Sequence, residues 1–180
     1  MEPDIYIIPL NEIGEKILNF LKENLGKIFN TETKISDRVK IGISFSNPKR
    51  KQYHAYEILK FLIRKIEFIH RGDIYIGIFR KDLYIPSLNF VFGLAAPDSR
   101  ACLISLARLH PSFYGKEGSQ NKSEQLYFDR ILTEAVHEIG HTLGLGHCEN
   151  PKCVMHFSDT LEDTDNKGYE FCKNCRRLIL

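Results

Sequence analysis

His137-Glu-Ile-Gly-His-Thr-Leu-Gly-Leu-Gly-His147 decides more of the fold than any other stretch of the chain. It closes an apolar period in which Phe128, Ile131, Leu132, Ala135, Ile139 and Leu143 recur at helical spacing, so a helix is expected from about Ser123 to Leu143. On that helix His137 and His141 are four apart and lie on one face, one turn above the other. Two imidazoles so placed can each aim a nitrogen at one metal ion. Gly144 suits a sharp turn out of the helix, because glycine enters the left-handed region without steric cost. After that turn His147 can swing back and supply a third nitrogen. Three neutral nitrogens leave a fourth position for water, the layout of a catalytic rather than a structural zinc. Glu138, next to the first ligand, can reach that water as a base without binding the metal. The bland alternative is an amphipathic helix end whose histidines merely face solvent. The extended pattern is a far stronger signal than a bare H-E-x-x-H.

Working outward toward the C-terminus, Cys148 follows the third histidine directly, Cys153 lies five further on, and Cys172 and Cys175 form a C-x-x-C. Four thiolates in two close pairs suit a closed, tetrahedral structural zinc. Two disulfides, which need an oxidising compartment, and a redox pair are the rival readings. Cys102 sits inside the apolar run 101–106, where a buried inert thiol is the ordinary reading. Met155 comes eight residues after His147. A thioether is a poor ligand for a site already filled by nitrogen and water, so on its own Met155 reads as a core residue.

The extended histidine motif followed by a methionine turn resembles the metzincin clan of zinc peptidases. Within it, H-E-x-x-H-x-x-G-x-x-H-C-x4-C-x-M followed by C-x-x-C looks like archaemetzincin, a resemblance specific over residues 137–175. It implies that His137, His141 and His147 are catalytic zinc ligands and that Glu138 is the general base. It implies further that Cys148, Cys153, Cys172 and Cys175 hold a second zinc and that Met155 forms an apolar floor beneath the imidazoles, with Gly144 as the supporting turn. Two zinc ions per chain are therefore expected, one catalytic and one structural. Phe157 has no hydroxyl, so this turn brings no tyrosine to the metal.

Upstream, strand and helix alternate. Strands are expected at 4–10, 39–46, 74–79, 90–95 and 101–109, and helices at 11–29 and 53–70. This order predicts an α/β fold, or α+β by some schemes, built on a mixed five-stranded, metzincin-like sheet. That sheet is expected to be mostly parallel, with one antiparallel edge strand at 90–95. By analogy with the clan, the edge strand could hold an extended peptide by main-chain hydrogen bonds, and Gly93→Pro is the natural probe. The loop 111–121 shows no apolar period. Glu134 shares a stripe with His137 and His141 and could orient an imidazole, but an exposed helix acid is the plainer reading. His54, His70, His110 and His156 have no partner at ligand spacing and read as ordinary. Beyond Gly144 the chain reads as loops that need the four-cysteine staple.

At 180 residues with 43% hydrophobic content, one domain spanning 1–180 is expected. Its sheet-and-helix part covers 1–147, and the methionine turn and four-cysteine segment cover 148–180. A net charge of +2 gives no argument for nucleic acid or an anionic membrane. The basic patch 48–51 reads as solvated surface. No apolar run approaches the roughly 20 residues of a bilayer span. Residues 1–9 show no basic leader, so a cytoplasmic monomer is expected. The function these readings converge on is zinc-dependent hydrolysis of peptide bonds by a zinc-bound water that Glu138 activates. The partner is a peptide or protein, and the resemblance hints at aminopeptidase-like action on short peptides. The alternative is a zinc-stapled peptide-binding module with little or no catalysis.

Overall fold

A computed structural model describes residues 3–66, 72–115 and 120–179. The expected sheet is present. β1 (Ile5–Leu10), β2 (Thr33–Ile35), β5 (Ile74–Phe79), β7 (Gly93–Ala96) and β8 (Ala101–Ser105) lie in the order β2-β1-β5-β8-β7. All pairings are parallel except β7 with β8, which run antiparallel at the edge. A smaller sheet joins β3 (Ser46–Asn47), β4 (Gln52–His54) and β6 (Leu83–Tyr84). The helices are α1 (Glu15–Phe29), α2 (Ala55–Ile66), α3 (Gln120–Thr142), α4 (Leu161–Lys167) and α5 (Lys173–Leu178).

The period of two along each strand sorts its side chains between two cores. Ile5, Ile7, Ile74, Ile76, Ile78, Cys102 and Ile104 pack on the face covered by α1, α3 and the C-terminal segment. Ile8, Leu10, Tyr75, Phe79, Ala101 and Leu103 pack on the opposite face against α2. Every residue of β5 is buried, as a central parallel strand covered on both faces requires. Among the described residues, no helix is long and apolar enough to cross a membrane.

Four expectations need correction. The second strand lies at Thr33–Ile35, not 39–46; Val39 makes only an isolated bridge to Leu10. The alternation Val39, Ile41, Ile43 misleads because Ile43 is 82% exposed and packs on nothing. The last parallel strand stops at Ser105 because its hydroxyl donates to Lys81 O and accepts from Ala107 N–H, turning the chain. The tail after Gly144 is not all loop. Thr160 and Asp163 form a reciprocal capping box that starts α4, whose Thr164 and Lys167 are buried. The helix expected at 53–70 begins at Ala55, since 52–54 pair in the small sheet, and is described to Ile66. Its last four expected residues, His70 among them, and positions 116–119 of the expected loop lie outside the described residues.

Candidate metal centre

α3 ends in a Schellman turn that places the second histidine. Leu145 N–H donates to Gly140 O at 3.1 Å and Gly144 N–H to His141 O at 3.0 Å. Gly144 has φ +89°, the left-handed conformation its position calls for. Leu145 O, held by this turn, lies 2.8 Å from His141 Nδ1. On the preceding turn His137 Nδ1 lies 2.7 Å from Val154 O. A carbonyl only accepts, so both Nδ1 atoms carry the ring proton and both Nε2 atoms are bare. Those two bare nitrogens stand 3.1 Å apart. Facing lone pairs repel at that distance, whereas a cation between them makes both favourable. The His147 ring lies 5.0 Å from that of His141, and the nitrogen donors of all three rings fall within 4.8 Å of one another. The donor set therefore fits a zinc ion with bonds of about 2.0–2.1 Å.

Charge states agree. Burial, reinforced by Lys167, pushes His137 down to about 3, and burial lowers His141 and His147 as well. Neutral imidazoles are what a metal needs. Glu138 is buried beside them. Burial and the neighbouring Glu134 push its carboxyl well above the usual carboxylate range, with Lys167 pulling the other way.

Glu134, expected as an exposed acid, is 4% exposed, on a helix packed against β7, β8 and α4. Arg130 bolts the two helices together through a two-pronged pair with Asp165, both contacts at 2.6 Å. Lys167 was not legible as a site residue at all. It is 4% exposed, donates to His156 O at 2.8 Å and lies 3.2 Å from His137 Nδ1. Since that nitrogen already donates to Val154, the second contact sets two donors side by side and is not a hydrogen bond. Two of the histidines read as ordinary pair elsewhere: the His54 ring meets Tyr84 at a tilt and the His110 ring meets Tyr127 edge to face.

Met155 is fully buried with its sulfur against Gly140, so the methionine turn packs directly on the helix between the two ligand-bearing positions. Cys148 N–H donates to Met155 O at 2.9 Å and closes that turn. A methyl group at 140 would collide with Met155 Sδ and press on Phe171. Gly140→Ala is expected to cost roughly 1–3 kcal/mol as an overpacking change. Thermal unfolding at matched zinc content measures it, and an unchanged midpoint would contradict this packing.

The four cysteine sulfurs also lie within 4.8 Å of one another. The Sγ atoms of Cys148 and Cys172 are 3.9 Å apart, against about 3.8 Å across a tetrahedral site with 2.3 Å Zn–S bonds. All five cysteines are free thiols, which speaks against the disulfide reading. A backbone N–H from Cys175 holds Cys172 down at about 7. Cys102 is fully buried and burial raises its thiol well above the usual range, in keeping with an inert residue.

A cleft of about 530 Å³ opens over the imidazoles. One wall is apolar, with Ile85, Leu88, Phe90, Val91, Phe92 and Leu94; the other carries Glu134, His137, Glu138, His141, His147, Phe157 and Lys167. Gly93 brings the walls together. A Cβ there would stand 2.6 Å from both Cγ and Oε1 of Glu138, so only a residue without a side chain lets the edge strand lie against that carboxyl.

The profile of peptidase family M54 matches residues 4–180. An archaemetzincin of Pyrococcus furiosus is 40% identical over 185 residues, covering 99% of this chain and 93% of that protein. The crystal structure of an archaemetzincin from Archaeoglobus fulgidus, complexed with malonate, superposes with a TM-score of 0.80 at 34% identity, covering 98% of this chain and 99% of that one. A zinc-dependent peptidase from Methanocorpusculum labreanum gives 0.86 at 29% identity, covering 98% and 100%.

Proposed function

The chain belongs to peptidase family M54 and is a zinc metallopeptidase, and on that premise we propose how its residues divide the work. His137, His141 and His147 hold the catalytic zinc, and Cys148, Cys153, Cys172 and Cys175 hold a second, structural one. The observation that carries this reading is the pair of bare Nε2 atoms 3.1 Å apart, each ring fixed from behind by a carbonyl. Zinc, when bound, acidifies water and polarises the scissile carbonyl. Glu138 takes the proton at its carboxylate as water attacks and yields it to the departing amine. Val154 and Leu145 keep the imidazoles in the binding tautomer through their carbonyls.

The peptide lies along β7. Ser105 N–H donates to Phe92 O on one side of that strand, and Val91 N–H to Leu83 O on the other. By alternation, Gly93 and Ala95 turn their backbone groups away from β8 and leave them open to an added strand. Gly93→Pro is a poor probe because residue 93 also seats Glu138. Ala95→Pro is the cleaner one, expected to raise KM about tenfold with kcat and zinc content nearly unchanged. Steady-state kinetics decides, and an unchanged KM in the zinc-loaded variant would remove the strand-addition role.

Aminopeptidase-like action on short peptides is the finer form of this activity, and the modest cleft volume supports a short substrate. Residues 1–180 act as one unit, supported by a shared core in which Cys153, Val154, Met155 and Phe171 pack with Ile5, Ile76 and Ile104. The five free thiols support a reducing, cytoplasmic setting. A monomer with no nucleic-acid partner completes the reading, in line with the charge of +2. The test is digestion of a mixed peptide library read by mass spectrometry. Products shortened from the amino end support the whole reading, internal cuts remove its exopeptidase part, and no products from the zinc-loaded enzyme overturn it.

A further inference from the structure

Segment 85–92 carries Ile85, Leu88, Phe90, Val91 and Phe92 of the apolar cleft wall. It runs from β6 to β7 outside any helix or sheet strand, with an isolated bridge from Val91 back to Leu83. Leu88 is 49% exposed, so burial alone does not hold this wall. Polar side chains from other parts of the chain grip it instead. Arg50, in the basic stretch 48–51, donates from Nη2 to Leu88 O at 3.2 Å and to Asn89 O at 2.8 Å. Its Nε donates to Gln52 Oε1 at 2.8 Å. The buried Gln52 amide donates in turn to Asn89 O and to Asp82 Oδ2, both at 2.9 Å. Asp82 accepts a two-pronged pair from Arg108 at 2.8 and 2.9 Å. The Arg108 guanidinium lies 4.1 Å from the centre of the Phe90 ring. Leu88, Asn89 and Phe90 are thus tied to one network, Arg50–Gln52–Asp82–Arg108, which stands outside both the cleft lining and the metal-ligand groups.

We propose that Arg50, Gln52 and Arg108 are positioning residues for peptide binding, joined through Asp82 into a clamp that holds segment 85–92 in its binding conformation. This rests on the reading of the cleft as the peptide site. A loop left to its own carbonyls would bond to water and sample many positions, and a peptide would have to order it on arrival. A wall fixed beforehand avoids that ordering cost, so the gain falls on affinity. Arginine suits the task because its planar fork reaches two carbonyls and a side-chain amide together. The clamp touches neither the metal ligands nor Glu138 in this account, so its loss should raise KM and leave kcat alone.

Arg50→Met, Gln52→Met, the double variant and Lys49→Met, at matched zinc content, test this on a peptide that the wild-type enzyme cleaves. Arg50→Met is expected to raise KM about fivefold and Gln52→Met about tenfold, with kcat within about twofold of wild type. The double variant should be little worse than Gln52→Met alone, because Arg50 has already lost the amide that orients it. Lys49→Met removes the neighbouring charge, leaves the clamp intact and should not change KM. Peptide affinity measured by calorimetry in the Glu138→Gln background should fall by the same factors. Unchanged KM in Arg50→Met, an equal rise in Lys49→Met, a loss carried by kcat, or effects that multiply in the double variant would each overturn the proposal. Should the loss of buried Gln52 disturb folding, exposed Arg50 decides alone. The peptide reading is judged separately. If the zinc-loaded wild type neither binds nor cleaves any peptide, that reading fails and this proposal goes with it; if peptides are cleaved and only the KM effects are missing, the clamp alone is refuted.

Discussion

Glu138→Gln is expected to keep both zinc ions and the fold and to lose about 10³–10⁴-fold in kcat with KM little changed. Gln has nearly the shape of Glu, so it fits the seat against Gly93, where a Cβ would already stand only 2.6 Å from the carboxyl carbon chain. It cannot accept the proton of an attacking water, and general base catalysis is worth roughly 10²–10⁴-fold. Glu138 does not bind the metal in this account, so zinc content must not change. Steady-state kinetics beside metal analysis makes the check. A Gln variant at wild-type turnover would show that another group takes the proton. A variant that loses zinc would show that the carboxylate is a ligand.

The second large effect comes from the four-cysteine centre. Cys172→Ser is expected to release one zinc per chain, expose residues 148–179 to proteolysis and abolish turnover. Structural zinc contributes about 10–16 kcal/mol in small zinc-stapled units, comparable with the roughly 5–15 kcal/mol that stabilises a whole domain. The loss reaches the catalytic centre through named contacts. Val154 O, which orients His137, lies one residue from Cys153, and Met155 against Gly140 lies two residues from it. Lys167 lies between Cys153 and Cys172 in the chain and reaches the same imidazole. Half-buried Cys172 is the ligand to change, because its loss opens no cavity in the core. Native mass spectrometry and limited proteolysis read the result. A Cys172→Ser variant that keeps activity and protease resistance would make the four-cysteine zinc dispensable.

What was legible in the sequence follows from how local its cause is. The three imidazoles and the turn after Gly144 depend on spacing within one helix and its cap, so the motif alone announces them. The antiparallel edge strand was legible from the short connections on either side of it. Thr33–Ile35 was not, because so short a run carries no period and the strand exists only through its register with Ile5–Ile7. α4 was missed because it is held by a capping box and by the Arg130–Asp165 pair rather than by an apolar stripe. The Thr160-x-x-Asp163 spacing was the one local signal for it. Missing α4 then hid the burial of Lys167, and that of Glu134 follows from the packing of α3 on elements distant in the chain. Gly93 and Gly140 were silent for the same reason. The need for a missing side chain arises only when β7 meets Glu138 and Met155 meets α3.

The claim on which all of this turns is that a metal ion lies among His137, His141 and His147. Anomalous diffraction from crystals of the zinc-loaded enzyme, collected on both sides of the zinc edge, tests it without any assumption about substrate. Two peaks are predicted, one central to the three imidazoles with Glu138 outside bonding distance, and one central to the four sulfurs. A peak at the cysteines alone, from protein carrying a full complement of zinc, would contradict the account.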